Sequence, residues 1–450
     1  MEIKIYNSLT KRLETFKPLV EGSVSMYHCG PTVYDTPHIG NYRTFVMNDL
    51  IRRTFAYNGY KVDQAMNITD VDDKTIRKSR EEKMSLSSVT QKYEALFLDG
   101  LKSLNILTPH HLIRATEHIP AMIDLINQLI ANGTAYAADD GVYMSIDKVK
   151  DYGALAHLNI KKDASHARIA NDEYDKENPH DFALWKFKIA DDGDASWQAP
   201  FGEGRPGWHI ECSAMALETF GTTVDIHTGG ADLLFPHHTN EIAQSESATG
   251  KRFVNYWMHG AFMNVSDEKM AKSKGNFLKL EDLASETISP LAYRYWLLTA
   301  HYRSPVNFTL EAVQGAQNAL IKLLVTVSNL PGDGSVISAY KERFMAFINE
   351  DLDMPRAVAL IWELLKDTAV SDADKRATLL DFDQVFGLNV GSVSSIVEEK
   401  IPEEITALAE AREEARTEKD WVKADALRAE IAARGYEILD TDSGYTLKSA

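Results

Sequence analysis

The stretch from Val24 to Met66 constrains this chain most, because it reads as strand, turn, long helix and strand in immediate succession. Ser25–Tyr27 lead into Cys29-Gly30-Pro31. A helix is expected over Asn41–Tyr57, where Phe45, Val46, Leu50, Ile51 and Phe55 recur at helical spacing and Asn58-Gly59 supply a stop. Lys61–Ile68 is the next expected strand. Such a βαβ unit forces parallel pairing through a right-handed crossover, and ligands of parallel sheets bind at the carboxyl ends of the strands. Cys29 and Thr69-Asp70 stand at those two ends.

The same pattern returns far downstream. Val224-Asp225-Ile226-His227 reads as a strand stopped by Gly229-Gly230, Pro236 as the opening of a helix, and Phe253–Met258 as a further strand. His227 and His259 then occupy the same kind of position as Cys29, and residues from about 120 to 200 read as an insertion between two halves of one sheet. Its turn signals are Asn132-Gly133, Asp139-Asp140-Gly141 and Asp191–Asp194. After Tyr302 the chain turns helical, with Ala312, Ala316, Ala319, Leu320 and Leu323 on an expected inward face. Glu403–Ala433 reads as charged helices broken near Lys419-Asp420, and Tyr436–Leu447 as a hairpin about Asp442-Ser443-Gly444. The fold class is therefore α/β: a Rossmann-like parallel-sheet domain with an insertion, followed by an α-helical bundle and a small terminal subdomain.

Composition narrows the function classes. Two cysteines, at 29 and 212, cannot build a disulfide framework and point to a reducing compartment, hence a cytoplasmic protein. The Met1–Tyr6 segment alternates like a strand and lacks the apolar core of a signal peptide, and no uncharged apolar run is long enough for a membrane span. With 48 Lys+Arg against 66 Asp+Glu the net charge is −18. Any nucleic-acid surface must therefore be local, and its binding should weaken steeply with salt.

Two short motifs carry chemistry. Pro37-His38-Ile39-Gly40-Asn41 lies where the first long helix begins. Free amides, the helix dipole, a histidine donor and a glycine there suit nucleotide phosphates, although His38 as a simple helix cap is the plain alternative. Lys269-Met270-Ala271-Lys272-Ser273-Lys274-Gly275-Asn276 is a lysine-rich loop whose ammonium groups can neutralise a departing pyrophosphate; taken alone, such a run is usually just a solvated turn.

Together, in this order, the two motifs resemble the HIGH and KMSKS signatures of class I aminoacyl-tRNA synthetases. Within that class the chain is most similar to the cysteinyl-tRNA synthetase family. The likeness runs through Tyr27–Asp35, Asn67–Lys74, Gly204–Ser213, Phe235–Glu241, Ala300–Pro305, Lys419–Trp421 and Ala424–Arg428, and so covers nearly the whole chain. It implies ATP, with Mg²⁺, contacted by His38, Gly40, Asn41, Lys269, Lys272 and Ser273, of which the first five are catalytic. It also implies one Zn²⁺ per chain held by Cys29, Cys212, His237 and Glu241, and a cysteine pocket formed by Thr69, Trp208, His227 and Asp232. The implied division is a catalytic domain over 1–119 and 204–255, a connective insertion over 120–203, a KMSKS-loop and stem-contact region over 256–310, a helical tRNA-binding bundle over 311–400 and an anticodon-binding subdomain over 401–450. The implied partners are tRNA(Cys), L-cysteine and ATP, with the chain working as a monomer.

Zinc gives selectivity that packing cannot. A pocket separating groups as alike as SH and OH by shape gains roughly 1–3 kcal/mol, whereas an unmet strong interaction yields roughly 10⁴-fold or more. A thiolate binds zinc and a hydroxyl does not replace it, so no editing domain is required. Two departures stand in the signatures: Asn41 replaces the second histidine of HIGH and Ala271 the first serine of KMSKS. Three other readings remain open at this level: a cysteine ligase acting on an amino sugar, a zinc hydrolase using His237 and Glu241, and a non-catalytic RNA-binding relative.

Overall fold

Five parallel strands form the central sheet, and their order decides where a ligand can enter. Across the sheet run Val254–Gly260, Val224–Gly230, Ser23–His28, Lys61–Ile68 and His111–Arg114. From Ser23–His28 the chain builds outward to one side and, after the insertion, to the other. Ser23–His28 and Val224–Gly230 therefore flank the topological switch, the crevice where α/β sheets bind ligands. This computed structural model describes residues 1–158, 181–265, 268–269, 278–392, 403–441 and 444–449.

The first helix runs Ile39–Tyr57, two residues earlier than its apolar periodicity suggests. The reason is a reciprocal cap: the Asn41 backbone N–H donates to His38 Nδ1 at 3.2 Å, and the His38 N–H donates to Asn41 Oδ1 at 3.1 Å. Phe45, Val46, Leu50, Ile51 and Phe55 are all buried, as expected. The Val224–Gly230 strand is not stopped by its glycines, because Gly229 and Gly230 pair in register with His259 and Gly260. Pro236 does stand at a helix opening. Of Leu234–His238, an irregular turn, only Phe235 has non-helical backbone, so the chain is helical from Pro236 onward and the regular helix is Thr239–Thr249.

The insertion carries the Ile119–Ala131 helix and a four-stranded antiparallel sheet of Ala135–Ala137, Gly141–Met144, Phe182–Phe187 and Gly204–Pro206. Helices Leu310–Asn329, Ser338–Ile348, Met354–Lys366 and Asp372–Phe386 follow. On the first of these the buried face is Val313, Ala316, Leu320, Leu323, Leu324 and Val327. Ala316, Leu320 and Leu323 of the expected residues are buried there, while Ala312 is exposed and Val313 takes the inward position of the first turn. No helix among the described residues is long and apolar enough to cross a membrane.

Two compact units result, Met1–Val390 and Gly391–Ala450. The second contains helices Glu403–Thr417 and Trp421–Ala433 and a hairpin of Tyr436–Thr441 with Gly444–Ser449. Ile405, Ala409, Ile431 and Ile438 form its core. Asp442 and Ser443 of the expected turn lie outside the described residues, while Trp421 is exposed at the start of its helix and Lys423 exposed two residues on.

A buried cation ties the first unit together behind the sheet. Arg294, on the Pro290–Leu298 helix, is fully buried and donates to Asp49 Oδ2 (2.6 Å), Phe386 O (2.7 Å) and Leu104 O (2.9 Å). Removing it leaves the buried Asp49 carboxylate and two carbonyls short of a donor. Arg294→Met should therefore destabilise the first unit by about 3–5 kcal/mol. Arg343→Ala, which breaks the exposed pair with Glu363, should cost under about 1 kcal/mol. Thermal unfolding of both variants checks the contrast; equal midpoints would contradict it.

Candidate active site

Cys29 follows the Ser23–His28 strand directly and is held at the switch point by its N–H on Thr228 O. The next residue must be glycine: a Cβ on Gly30 would stand 1.7 Å from Asn67 O. Cys212 comes from the Trp208–Phe220 helix, Glu241 from the first turn of Thr239–Thr249, and His237 from the irregular turn before it. All four side chains are buried, and their donor atoms lie within 4.8 Å of one another. His237 and Glu241 thus meet, Nε2 to Oε1 at 3.0 Å, although His237 is outside the regular helix.

The donor set fits a tetrahedral metal. Cys29 Sγ and Cys212 Sγ are 3.8 Å apart and Cys29 Sγ is 3.7 Å from Glu241 Oε1; two sulfurs each about 2.3 Å from a tetrahedral zinc stand about 3.8 Å apart. Electrostatics prepares the ligands. Burial pushes the Cys212 thiol up, but the Cys29 hydrogen bond and the His237 charge outweigh it and bring it down to about 6. Burial also raises the Glu241 carboxyl, yet His227 and His237 beside it hold it below the usual carboxylate range. Burial lowers the His237 imidazole, but Cys212 and Glu241 outweigh it and push it up to about 10, and burial raises the Cys29 thiol, so a metal would bind by displacing the protons of His237 and Cys29.

Around these ligands lies a histidine shell of which the sequence placed His227 and His259 at strand ends but not His209 or His238. His209 Nδ1 is 2.9 Å from His237 Nδ1, and His238 joins a chain to His259 Nε2 (2.8 Å) and Ser8 Oγ. His238 Nε2 is also 3.4 Å from Cys29 Sγ, so Cys29, His227, His238 and Glu241 form a second quartet within ligating range. Gly229 makes room for this ring, since a Cβ there would meet His238 Cε1 at 2.6 Å. The adjacent His237-His238 pair was the available signal.

Cys29 also lines a cleft of about 350 Å³ that extends past Gly30–Thr32 and Tyr34–Pro37 to His38, Asn41 and, on the other wall, Gly230, Asp232 and Leu233. Cys29 of the metal quartet and the helix start thus share one cavity. Because His38 Nδ1 accepts from the Asn41 N–H, the ring's proton sits on Nε2, a donor. Asn41 spends its Oδ1 on the same cap, leaving the amide nitrogen to donate. Gly40 lies in the first turn, half-buried. A larger cavity of about 970 Å³, between the helices Asp73–Glu82 and Leu86–Ser103 and the Ala190–Trp197 loop, contains neither metal quartet nor helix start.

Of the expected cysteine-pocket residues, Asp232 lines the cleft and is exposed. Trp208 is 41% exposed, its ring 4.3 Å from that of His237. Thr69 is buried and donates to Glu211 Oε2 at 2.8 Å. His227 is fully buried behind the ligands, with Nε2 2.8 Å from Glu241 Oε2 and its ring stacked on Trp257. It orients the carboxylate and does not line the cleft. Lys272 and Ser273 lie outside the described residues. Lys269 does not, and its backbone pairs with Asn264 in a small sheet with Val306–Phe308, while Leu278 O accepts from the Ile39 N–H. The lysine segment is therefore bracketed by backbone held to the first helix and its neighbours.

His227→Ala should weaken metal binding about 10- to 100-fold by freeing Glu241, and Cys212→Ala should weaken it more. Elemental analysis and chelator competition read both; full retention by Cys212→Ala would transfer the site to the quartet containing His238.

Comparison with known proteins agrees with this geometry. Residues 15–318 match the family model described as tRNA synthetases class I (C) catalytic domain, and residues 398–445 the cysteinyl-tRNA ligase anticodon binding domain. The chain is 42% identical to the cysteine–tRNA ligase of Brachyspira hyodysenteriae over 99% of each chain, and 43% identical to that of Methanosarcina mazei over 100% of this chain and 99% of the relative. Among solved structures, Mycobacterium tuberculosis methionyl-tRNA synthetase in complex with methionyl-adenylate shares the fold at a TM-score of 0.56 and 17% identity, covering 86% of this chain and 94% of that one. A cleft at the switch point of a parallel sheet, lined at one end by Cys29 of the metal quartet and at the other by a histidine-capped helix, is thus accompanied by full-length similarity, and the chain belongs to the cysteine–tRNA ligase family of class I tRNA synthetases.

Proposed function

We propose that this chain condenses L-cysteine with ATP to cysteinyl-adenylate and pyrophosphate, and then transfers the cysteinyl group to the terminal adenosine of tRNA(Cys). The observation that carries this is the shared cavity: Cys29 of the metal quartet and His38 and Asn41 of the helix start line one cleft. A thiol-recognising end and a phosphate-recognising end in a single space suit a reaction that joins the two substrates.

Cys29, Cys212, His237 and Glu241 would hold the zinc, which when bound supplies a site for the substrate thiolate that a serine hydroxyl cannot fill. Trp208 walls the amino acid and Asp232 pairs with its ammonium group; Thr69 and His227 act from behind, through Glu211 and Glu241. The substrate carboxylate is already a nucleophile, so the first step needs no general base. His38 donates from Nε2 to a phosphate oxygen at the helix N-terminus, and Gly40 lets the nucleotide approach the backbone. Asn41 adds an amide donor. Lys269 and Lys272 neutralise the charge that develops as pyrophosphate leaves with its Mg²⁺, and the Ser273 hydroxyl donates a hydrogen bond to it. Residues of the second unit read the tRNA, a role supported by the match of 398–445 to an anticodon binding domain. That match also speaks against an amino-sugar acceptor, which needs no such module. Monomeric action in the cytoplasm is carried over from the family resemblance.

Exchange of labelled pyrophosphate into ATP should depend on cysteine and not on serine, and addition of tRNA should give acid-stable attachment of cysteine. Exchange supported equally by serine would refute selection by the metal. Lys272→Ala should slow exchange about 10²-fold or more with little change in cysteine KM, as expected for a contact made in the transition state; a parallel rise in KM would instead assign it to ground-state binding.

A further inference from the structure

Among the described residues, the charged side chains on the cleft wall are two carboxylates, Asp35 and Asp232, and a single ammonium group, Lys74. We propose that Lys74 is a substrate-binding residue whose ammonium pairs with a phosphate group held in the cleft. The inference rests on the function proposed above and adds to it a residue outside both signature motifs.

Three observations support it. Lys74 sits in the first turn of the Asp73–Glu82 helix, and the acidic neighbours that could neutralise it are already engaged. Asp72 caps the helix by accepting from the Lys74 and Thr75 N–H groups, and Asp73 pairs with Arg205 and, at 2.9 Å, with Lys186. Lys74 makes no ion pair among the described residues; its Nζ lies instead 5.5 Å from the centroid of Tyr34, itself a wall of the cleft. An aromatic face holds an ammonium group only weakly when exposed, so a phosphate oxygen arriving in the cleft is the better partner. Finally, nucleotide substrates are polyanions, and without Lys74 the wall itself carries only the carboxylates Asp232 and Asp35, the latter paired at 3.7 Å with Lys279 from outside the lining.

The phosphate has two possible sources, the triphosphate of ATP and the last phosphodiester of the tRNA acceptor end, and the two half-reactions separate them. Lys74→Ala and Lys74→Arg in the full-length, zinc-replete protein are compared with the wild type by cysteine-dependent pyrophosphate exchange and by tRNA charging. A drop of roughly 10- to 100-fold in kcat/KM for ATP in exchange, the usual worth of a hydrogen bond to a charged group, with partial recovery in Lys74→Arg, assigns the contact to ATP. Intact exchange with a comparable rise in the KM for tRNA assigns it to the acceptor end. Changes below about twofold in both assays overturn the proposal. So does an equal loss in both variants with a lowered thermal midpoint, which would mark a structural role. If the wild type shows no cysteine-dependent exchange, the proposed function fails; equilibrium binding of ATP and of tRNA to wild type and Lys74→Ala then decides Lys74 by itself, weaker binding of either supporting it and equal binding of both overturning it.

Discussion

Parallel pairing of Ser23–His28 with Val224–Gly230 is the contact on which the remainder of the site depends. It joins segments some 200 residues apart, and one buried carboxylate secures it: Asp225 accepts from the Ser25 N–H, the Ser25 hydroxyl and the Leu19 N–H. Once His28 is level with Thr228, Cys29 leaves the sheet at the point where the chain has turned away on both sides. The crevice there needs no further construction. The Trp208–Phe220 and Thr239–Thr249 helices, packed on each other and on the sheet, then deliver Cys212 and Glu241 into it.

Electrostatics at this crevice is organised around unlike demands a short distance apart. At its deep end, two thiols and a carboxylate are packed with histidines, and burial alone would neutralise all of them; the balance of imidazole and acid keeps Cys212 and Glu241 anionic. At its outer end, the start of the Ile39–Tyr57 helix offers donors, with His38 fixed in one tautomer by its own cap. Asn41 fits this arrangement as a capping partner. Its replacement of the family's histidine therefore changes the donor supplied at the helix start while keeping the helix start itself in place.

How far the chain could be read in advance follows from the range of the forces involved. The first helix, the strand after it and the break at Lys419-Asp420 are local matters of periodicity and stop signals, and each is where the residues place it, with helix starts differing only where a side-chain cap intervenes. The Gly229-Gly230 pair misled local reading because its role is tertiary. Gly229 and Gly230 continue a strand beside His259 and Gly260, and Gly229 leaves room for the His238 ring. His227 and His259 were legible as strand ends, whereas His209 and His238 join them only through the packing of separate helical segments.

What the sequence alone determined is the α/β class, the interrupted sheet, the family likeness and the identity of the candidate ligands, because these reside in periodicity and in residue types that few other chemistries require. The tertiary structure decided which groups touch. It placed His227 and Thr69 behind the site rather than in the cleft, offered His238 as a second imidazole near Cys29, and left Lys74 as the described ammonium on the cleft wall. The physical reason is that burial and distance between residues remote in the chain are set by the packing of whole elements, and no local pattern of side chains encodes them.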